Sequence, residues 1–161
     1  MAAVDYFLKI KGIEGEAQDQ KHKNEIEIES WAFGETNSGT HAGGTGGGAG
    51  KVAMQDFHFV MKVNKASPKL FKACATGEHI PDAILTCRKA GKEQQEYLVF
   101  KFKDLLISSY QTGGSSSDVV ATDSISFNFA DINIEYKPQN ADGSLGGSIS
   151  AGYNLKSQKA V

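Results

Sequence analysis

Apolar residues recur at every second position along most of this chain. Tyr6, Leu8 and Ile10 fall on one face of VDYFLKIKG. Ile26 and Ile28 fall opposite Glu25, Glu27 and Glu29 in NEIEIES, leaving the three carboxylates on a solvated or intersubunit face. Phe57, Phe59, Met61 and Val63 keep the same spacing, as do Leu98, Phe100 and Phe102. A period of two is the signature of half-buried strands. DAILTCRKAG reads as another strand ending at a turn near Gly91, and SISAGYNLK as a last one with Tyr153 and Leu155 in phase. Ile125, Phe127 and Phe129 are in one phase and Ile132, Ile134 and Tyr136 in the other. A one-residue slip moves a strand's side chains to the wrong face, so a bulge or bend near Ala130-Asp131 is required.

One segment breaks the pattern. Ser67 suits a helix N-cap, Pro68 the first helical residue and Gly77 the stop. Leu70, Phe71 and Cys74 form its apolar stripe, with Lys69 and Lys72 off it. A helix this short must dock on the sheets to persist. The prediction is a mainly β chain: a two-sheet β-barrel or sandwich with one short α-helix and a long Gly-rich extended loop. Its 161 residues make a single domain, 1–161.

That loop is the stretch HAGGTGGGAGK. From Gly39 to Gly50, 7 of 12 residues are glycine, and Thr36 to Gly50 carries no formal charge. It invites a phosphate-loop reading, G-x-x-x-x-G-K-[ST]. Gly50-Lys51 fit, but Thr45 stands where the first glycine belongs and Val52 where the hydroxyl belongs. Dinucleotide patterns can be laid on Gly44, Gly46 and Ala49 or on Gly48, Gly50 and Ala53, as on any glycine-rich run. Both motifs need a helix after the loop, and an alternating strand follows instead. No cofactor is expected. The loop's composition cannot order itself by burial, which suits a segment that becomes ordered on a partner surface. A second small-residue loop, TGGSSSD, spans 112–118.

Composition narrows the function classes. The formal net charge is -2, and only one cation, Arg88, is an arginine, so a nucleic-acid footprint is missing. No apolar stretch approaches a membrane span, and no basic-apolar-cleavage signal precedes the first strand. The chain is expected to be made in the cytoplasm and, if it leaves, to leave without a cleaved signal. Cys74 and Cys87 form no disulfide framework, and Cys74, His22, His41, His58 and His79 are not in the paired spacings of a zinc site. No metal site is expected. No Ser-His-Asp or paired-carboxylate pattern occurs in a recognisable context, so no catalytic residues are assigned. Phe7, Val60, Tyr97 and Val99 are apolar residues on the faces away from the core; gathered into patches, they would mark subunit contacts.

Several segments in one order resemble a known family. They are VDYFLKIKGIEGEAQD, ESWAFG leading into HAGGTGGGAGKVAMQDFHF, SPKLFKACATGEHIPDAILTCRKAG, EYLVFKFKDLLISSYQTGG and FNFADINIEYKPQNADG. Together they resemble the haemolysin-coregulated protein family, the tube-forming proteins of bacterial type VI secretion systems. The resemblance implies a structural, non-enzymatic subunit. Six copies close into a ring, and rings stack into a tube driven by a contractile sheath behind a spike. Small effectors are carried in the hole, and the protein is itself secreted by the system. It implies further that the loop over 34–51 reaches a neighbouring ring, with His41, Gly43, Gly44, Gly46, Gly47, Gly48, Gly50 and Lys51 in the stacking contact. Thr112, Gly113, Gly114, Ser115 and Ser116 would border the hole and meet cargo. Some members carry an enzyme domain after the barrel; none is expected here. The competing reading is a monomeric, lectin-like β-sandwich that binds ligand with its Gly- and Ser-rich loops.

Overall fold

The computed structural model describes residues 4–39, 50–89 and 94–161. The turn expected near Gly91 lies outside them. In chain order the elements are β1 (Val4–Ile10), β2 (Ile26–Glu27), β3 (Ser30–Ala32), β4 (Glu35–Asn37), β5 (Val52–Met54), β6 (Phe57–Lys62), α1 (Ser67–Thr76), β7 (His79–Lys89), β8 (Gln95–Gly113), β9 (Thr122–Asn128), β10 (Asp131–Tyr136), β11 (Ile149–Asn154) and β12 (Lys159–Ala160). All the pairings are antiparallel.

The spine is β8, 19 residues long. One edge pairs with β7. Along the other edge, Leu98–Lys103 pair with β10 and Leu106–Gly113 with β9. Asp104, at φ 55, breaks the regular strand between those halves, and a register irregularity between Ile107 and Ser109 follows inside the second. The chain passes from β9 to β10 at the same place, where Ala130 N–H donates to Lys103 O at 3.0 Å. That is the bend the phase change demanded. Phe127 and Phe129 on one side of it and Ile132 on the other are all buried.

The strands run β12-β11-β10-β8-β7-β1-β2, and β9, β6 and β3 continue from β8 to form the second layer. The barrel does not close into a continuous ladder. Where the chain crosses from β2 to β3, Ile28 N–H donates to Tyr6 O at 3.1 Å and Glu29 N–H to Val60 O at 2.8 Å. Between the layers sit Leu8, Ile26, Phe57, Phe59, Phe102 and Phe127, all fully buried. Phe57, Phe102 and Phe127 have ring centroids 5.0 Å apart, the tilted and edge-on spacing that aromatic quadrupoles favour.

The helix forms where expected, but two details differ. Its N-cap is Ala66, not Ser67, because the Ser67 hydroxyl is used elsewhere. Ser67 Oγ donates to Asp123 Oδ2 at 2.6 Å, pinning the helix start to β9, while Asn64 Oδ1 accepts from Ala66 N–H at 2.8 Å. The buried side is Ser67, Leu70 and Ala73, with Cys74 half-buried. Phe71 was placed on the apolar stripe, yet it is 60% exposed, leaning edge-on against Tyr110. Gly77 ends the helix at φ 65, where a Cβ would be strained.

Candidate assembly surfaces

The base of the glycine-rich loop is a separate two-stranded hairpin, β4–β5, joined by no ladder to the main sheet among the described residues. Glu35 faces Met54, Thr36 faces Ala53 and Asn37 faces Val52. Its ends are tied by Asn37 Nδ2 to Gly50 O at 3.2 Å and by Gly39 N–H to Asn37 Oδ1 at 2.8 Å. At Gly50 an added Cβ would stand 1.9 Å from Gly39 N and 2.5 Å from Gly39 Cα. This glycine serves close backbone approach. Lys51 leads directly into strand β5, so no helix N-terminus faces the loop to hold a phosphate. His41, Gly43, Gly44, Gly46, Gly47 and Gly48 lie outside the described residues.

The second loop joins β8 to β9. Thr112 and Gly113 are still in the ladder, opposite Asp123 and Thr122. Gly114, Ser115 and Ser116 are exposed beyond it. The turn is closed by its own serines: Ser115 Oγ lies 2.9 Å from Ser117 Oγ, and Asp118 N–H donates to Ser115 O at 3.0 Å. The two loops are therefore built differently, one on a two-stranded hairpin outside the main ladder and the other as a tight tip on the main sheet.

A buried ionic stack was missed in the sequence. Arg88, 2% exposed, places its guanidinium 4.8 Å above the Phe7 ring, and His22 stacks on Phe7 at 4.5 Å. Arg88 Nη2 donates to Asp5 at 3.0 Å and to Asp19 at 2.9 Å. The ring nitrogens of His22 lie 2.8 Å from Glu25 Oε2 and 2.7 Å from Glu96 Oε1. The Arg88 hydrogen bond pulls Asp19 down to about 2. Phe7 is thus not a leftover apolar group on an outer face; the segment carrying Asp19 and His22 covers it, while Val60, Tyr97 and Val99 stay partly exposed. The only sequence signal was that Arg88 is the sole arginine.

Reactive chemistry is sparse. Both cysteines are free, and burial pushes the Cys87 thiol up to about 12, which keeps it protonated and unreactive. His58 Nδ1 lies 3.0 Å from Ser126 Oγ across β6 and β9, but no carboxylate hydrogen bond to its other nitrogen is present among the described residues. No cluster of three or more metal-binding side chains occurs among them, and no helix there is long and apolar enough to cross a membrane.

Residues 7–136 match the family model described as "Type VI secretion system effector, Hcp". Protein hcp1 of Pseudomonas aeruginosa is 44% identical over 156 residues, covering 96% of each chain. A solved type six secretion system protein superposes with a TM-score of 0.93 at 30% identity, covering 99% of this chain and 100% of its own. Hcp1 of Salmonella typhimurium gives 0.81 at 37% identity, with the same coverage. A two-layer β fold with one helix, shared end to end with these proteins, agrees with the sequence match, and the chain belongs to the Hcp family of type VI secretion system proteins.

Proposed function

We propose that this chain is the structural subunit of the inner tube of a type VI secretion system. Six copies close into a ring, rings stack, and the hole carries small effectors. The subunit is made in the cytoplasm and exported by the system it builds, working with the sheath and spike proteins. The observation that carries this reading is end-to-end kinship with Hcp1 proteins, at 44% identity over 96% of the chain. A β4–β5 hairpin outside the main ladder among the described residues, with Gly50 and Lys51 at its loop end, is consistent with a loop that reaches a neighbouring ring. The exposed Gly114, Ser115 and Ser116 are small and polar, as a cargo-lined hole needs; Thr112 and Gly113 anchor them.

Gly50→Ala separates stacking from ring closure. The added methyl meets backbone at 1.9 Å, so the hairpin base must open. Because the hairpin shares no ladder with the core, unfolding temperature should change by no more than a few degrees. Native mass should stay that of a ring, while tubes in electron micrographs and export from cells should fall sharply. Unchanged tubes and export would remove the loop from the stacking contact; a lost ring would place it in the lateral one.

A further inference from the structure

One cleft of this chain gathers cations. It is a space of about 610 Å³ between the end of β1 and the segment 14–25. Lys9 lies on β1 and Lys11 in the turn after it, while Lys21 and Lys23 come from the segment. Ile10 and Ile13, both buried, supply apolar lining. All four lysines are exposed, and none has a carboxylate oxygen within 4.0 Å among the described residues. The formal net charge of the chain is -2, so four uncompensated lysines in one place run against its balance.

The carboxylates nearby are committed elsewhere. Asp19 Oδ2 accepts from Arg88 Nη2, and its Oδ1 accepts from Lys21 N–H at 2.9 Å. Three acids line the cleft: Glu14, Glu25 and Asp82. Glu25 Oε2 is taken by His22, and Glu14 comes within 4.0 Å of Lys65. Asp82 alone is left to face four lysines. The segment that carries two of them is also held in place. Gly15 N–H donates to Asn24 O at 2.8 Å, Asn24 N–H to Ala17 O at 2.9 Å and Ala17 N–H to Glu25 O at 3.0 Å. Gly12 and Asn24 take the left-handed angles of tight turns, at φ 85 and 65. The lysine backbones are therefore preset, which lowers the ordering cost of binding.

We propose that this cleft binds a compact polyanion bearing two or more linked phosphates. An ammonium group is a point charge that holds phosphate oxygens without a fixed orientation. The planar fork that grips a carboxylate at both oxygens is missing from the cleft, because the only arginine is buried in the ionic stack. One exposed lysine adds less than about fivefold to affinity. A ligand that meets several at once multiplies those small gains, which favours linked phosphates over a single one. The cleft lies within one chain, so the site stands whether or not rings form.

Calorimetric titration of the full chain with inorganic tripolyphosphate tests the site. Binding should saturate with a Kd tighter than about 1 mM, and orthophosphate should bind about tenfold more weakly or worse. K9Q/K11Q and K21Q/K23Q should each weaken tripolyphosphate about tenfold or more. K69Q/K72Q removes the same charge from the exposed face of α1 and should stay within about twofold of wild type. Circular dichroism should show these variants folded, since the replaced side chains are exposed; should a cleft pair unfold, single K9Q and K21Q changes carry the comparison, each weakening binding about threefold. Equal weakening by K69Q/K72Q would mean attraction to lysine anywhere, and would overturn the site. So would the absence of saturable tripolyphosphate binding below about 1 mM. Binding to phosphatidylglycerol vesicles without binding to tripolyphosphate would also overturn it, since the ligand would then be a membrane surface.

Discussion

Phe127→Ala should cost about 3–5 kcal/mol of stability, the usual toll of truncating a buried aromatic ring. Phe127 is fully buried on β9, opposite Phe57 on β6 and Ile107 on β8, so it is packed by both layers. Its ring lies 5.0 Å from Phe57 and 5.0 Å from Phe102, the second at 85°. Alanine removes those edge contacts and leaves a cavity that rigid strands cannot close. A domain of this size is held by only about 5–15 kcal/mol, so the loss is a large fraction of the whole. The unfolding midpoint should drop by roughly 10 °C, followed by circular dichroism. Phe71→Ala is the internal comparison. That ring is 60% exposed and should change stability by about 0.5 kcal/mol or less. A loss below about 1 kcal/mol for Phe127→Ala would mean the layers repack freely there.

The second large effect is asymmetric. Removing both counter-charges of Arg88, by Asp5→Asn with Asp19→Asn, should cost about 3–5 kcal/mol near neutral pH, because a buried guanidinium cannot shed its charge. Arg88→Met should cost less, about 2 kcal/mol. The carboxylates it abandons keep side-chain exposures of 38% for Asp5 and 17% for Asp19, so water can take over. Among the described residues Arg88 Nε and Nη1 also have no partner, a burden that methionine removes while its stem still packs on Phe7. The sign with pH follows from Asp19, whose folded value of about 2 lies below the ordinary 3.8. A depressed carboxylate contributes stability in full above about pH 3.8 and loses it as pH falls toward about 2. The cost of Asp19→Asn alone should therefore shrink over that window in urea unfolding curves. Arg88→Met proving more costly than the double asparagine variant would contradict the asymmetry.

Much of the fold was legible because burial is two-faced. Leu8 and Ile10, Phe57 and Phe59, and Phe100 and Phe102 alternate with polar neighbours, and each pair proved to be core. The phase change across Ala130 was readable for the same reason, and the break in the spine at Asp104 gave it a place. What alternation could not show was burial by a distant irregular segment. Phe7 is out of phase with the core, and it is covered by Arg88 of β7 and by the distant stretch bearing Asp19 and His22. Ser67 had the right residue type for a cap, but its hydroxyl serves Asp123, 56 positions away, and a partner at that distance leaves no local trace. Phe71 illustrates the converse: Ala73 took the inward position and left the larger side chain outside. Of the proposed assembly residues, the base at Gly50 gained a physical reason, since its neighbour's backbone leaves no room for a side chain.

Native mass tests the tube reading most directly. Light scattering of the purified chain at micromolar concentration should give a species near six times the 17.2 kDa protomer, unchanged by reductant because both cysteines are free. A mass that stays at 17.2 kDa across that range would contradict it.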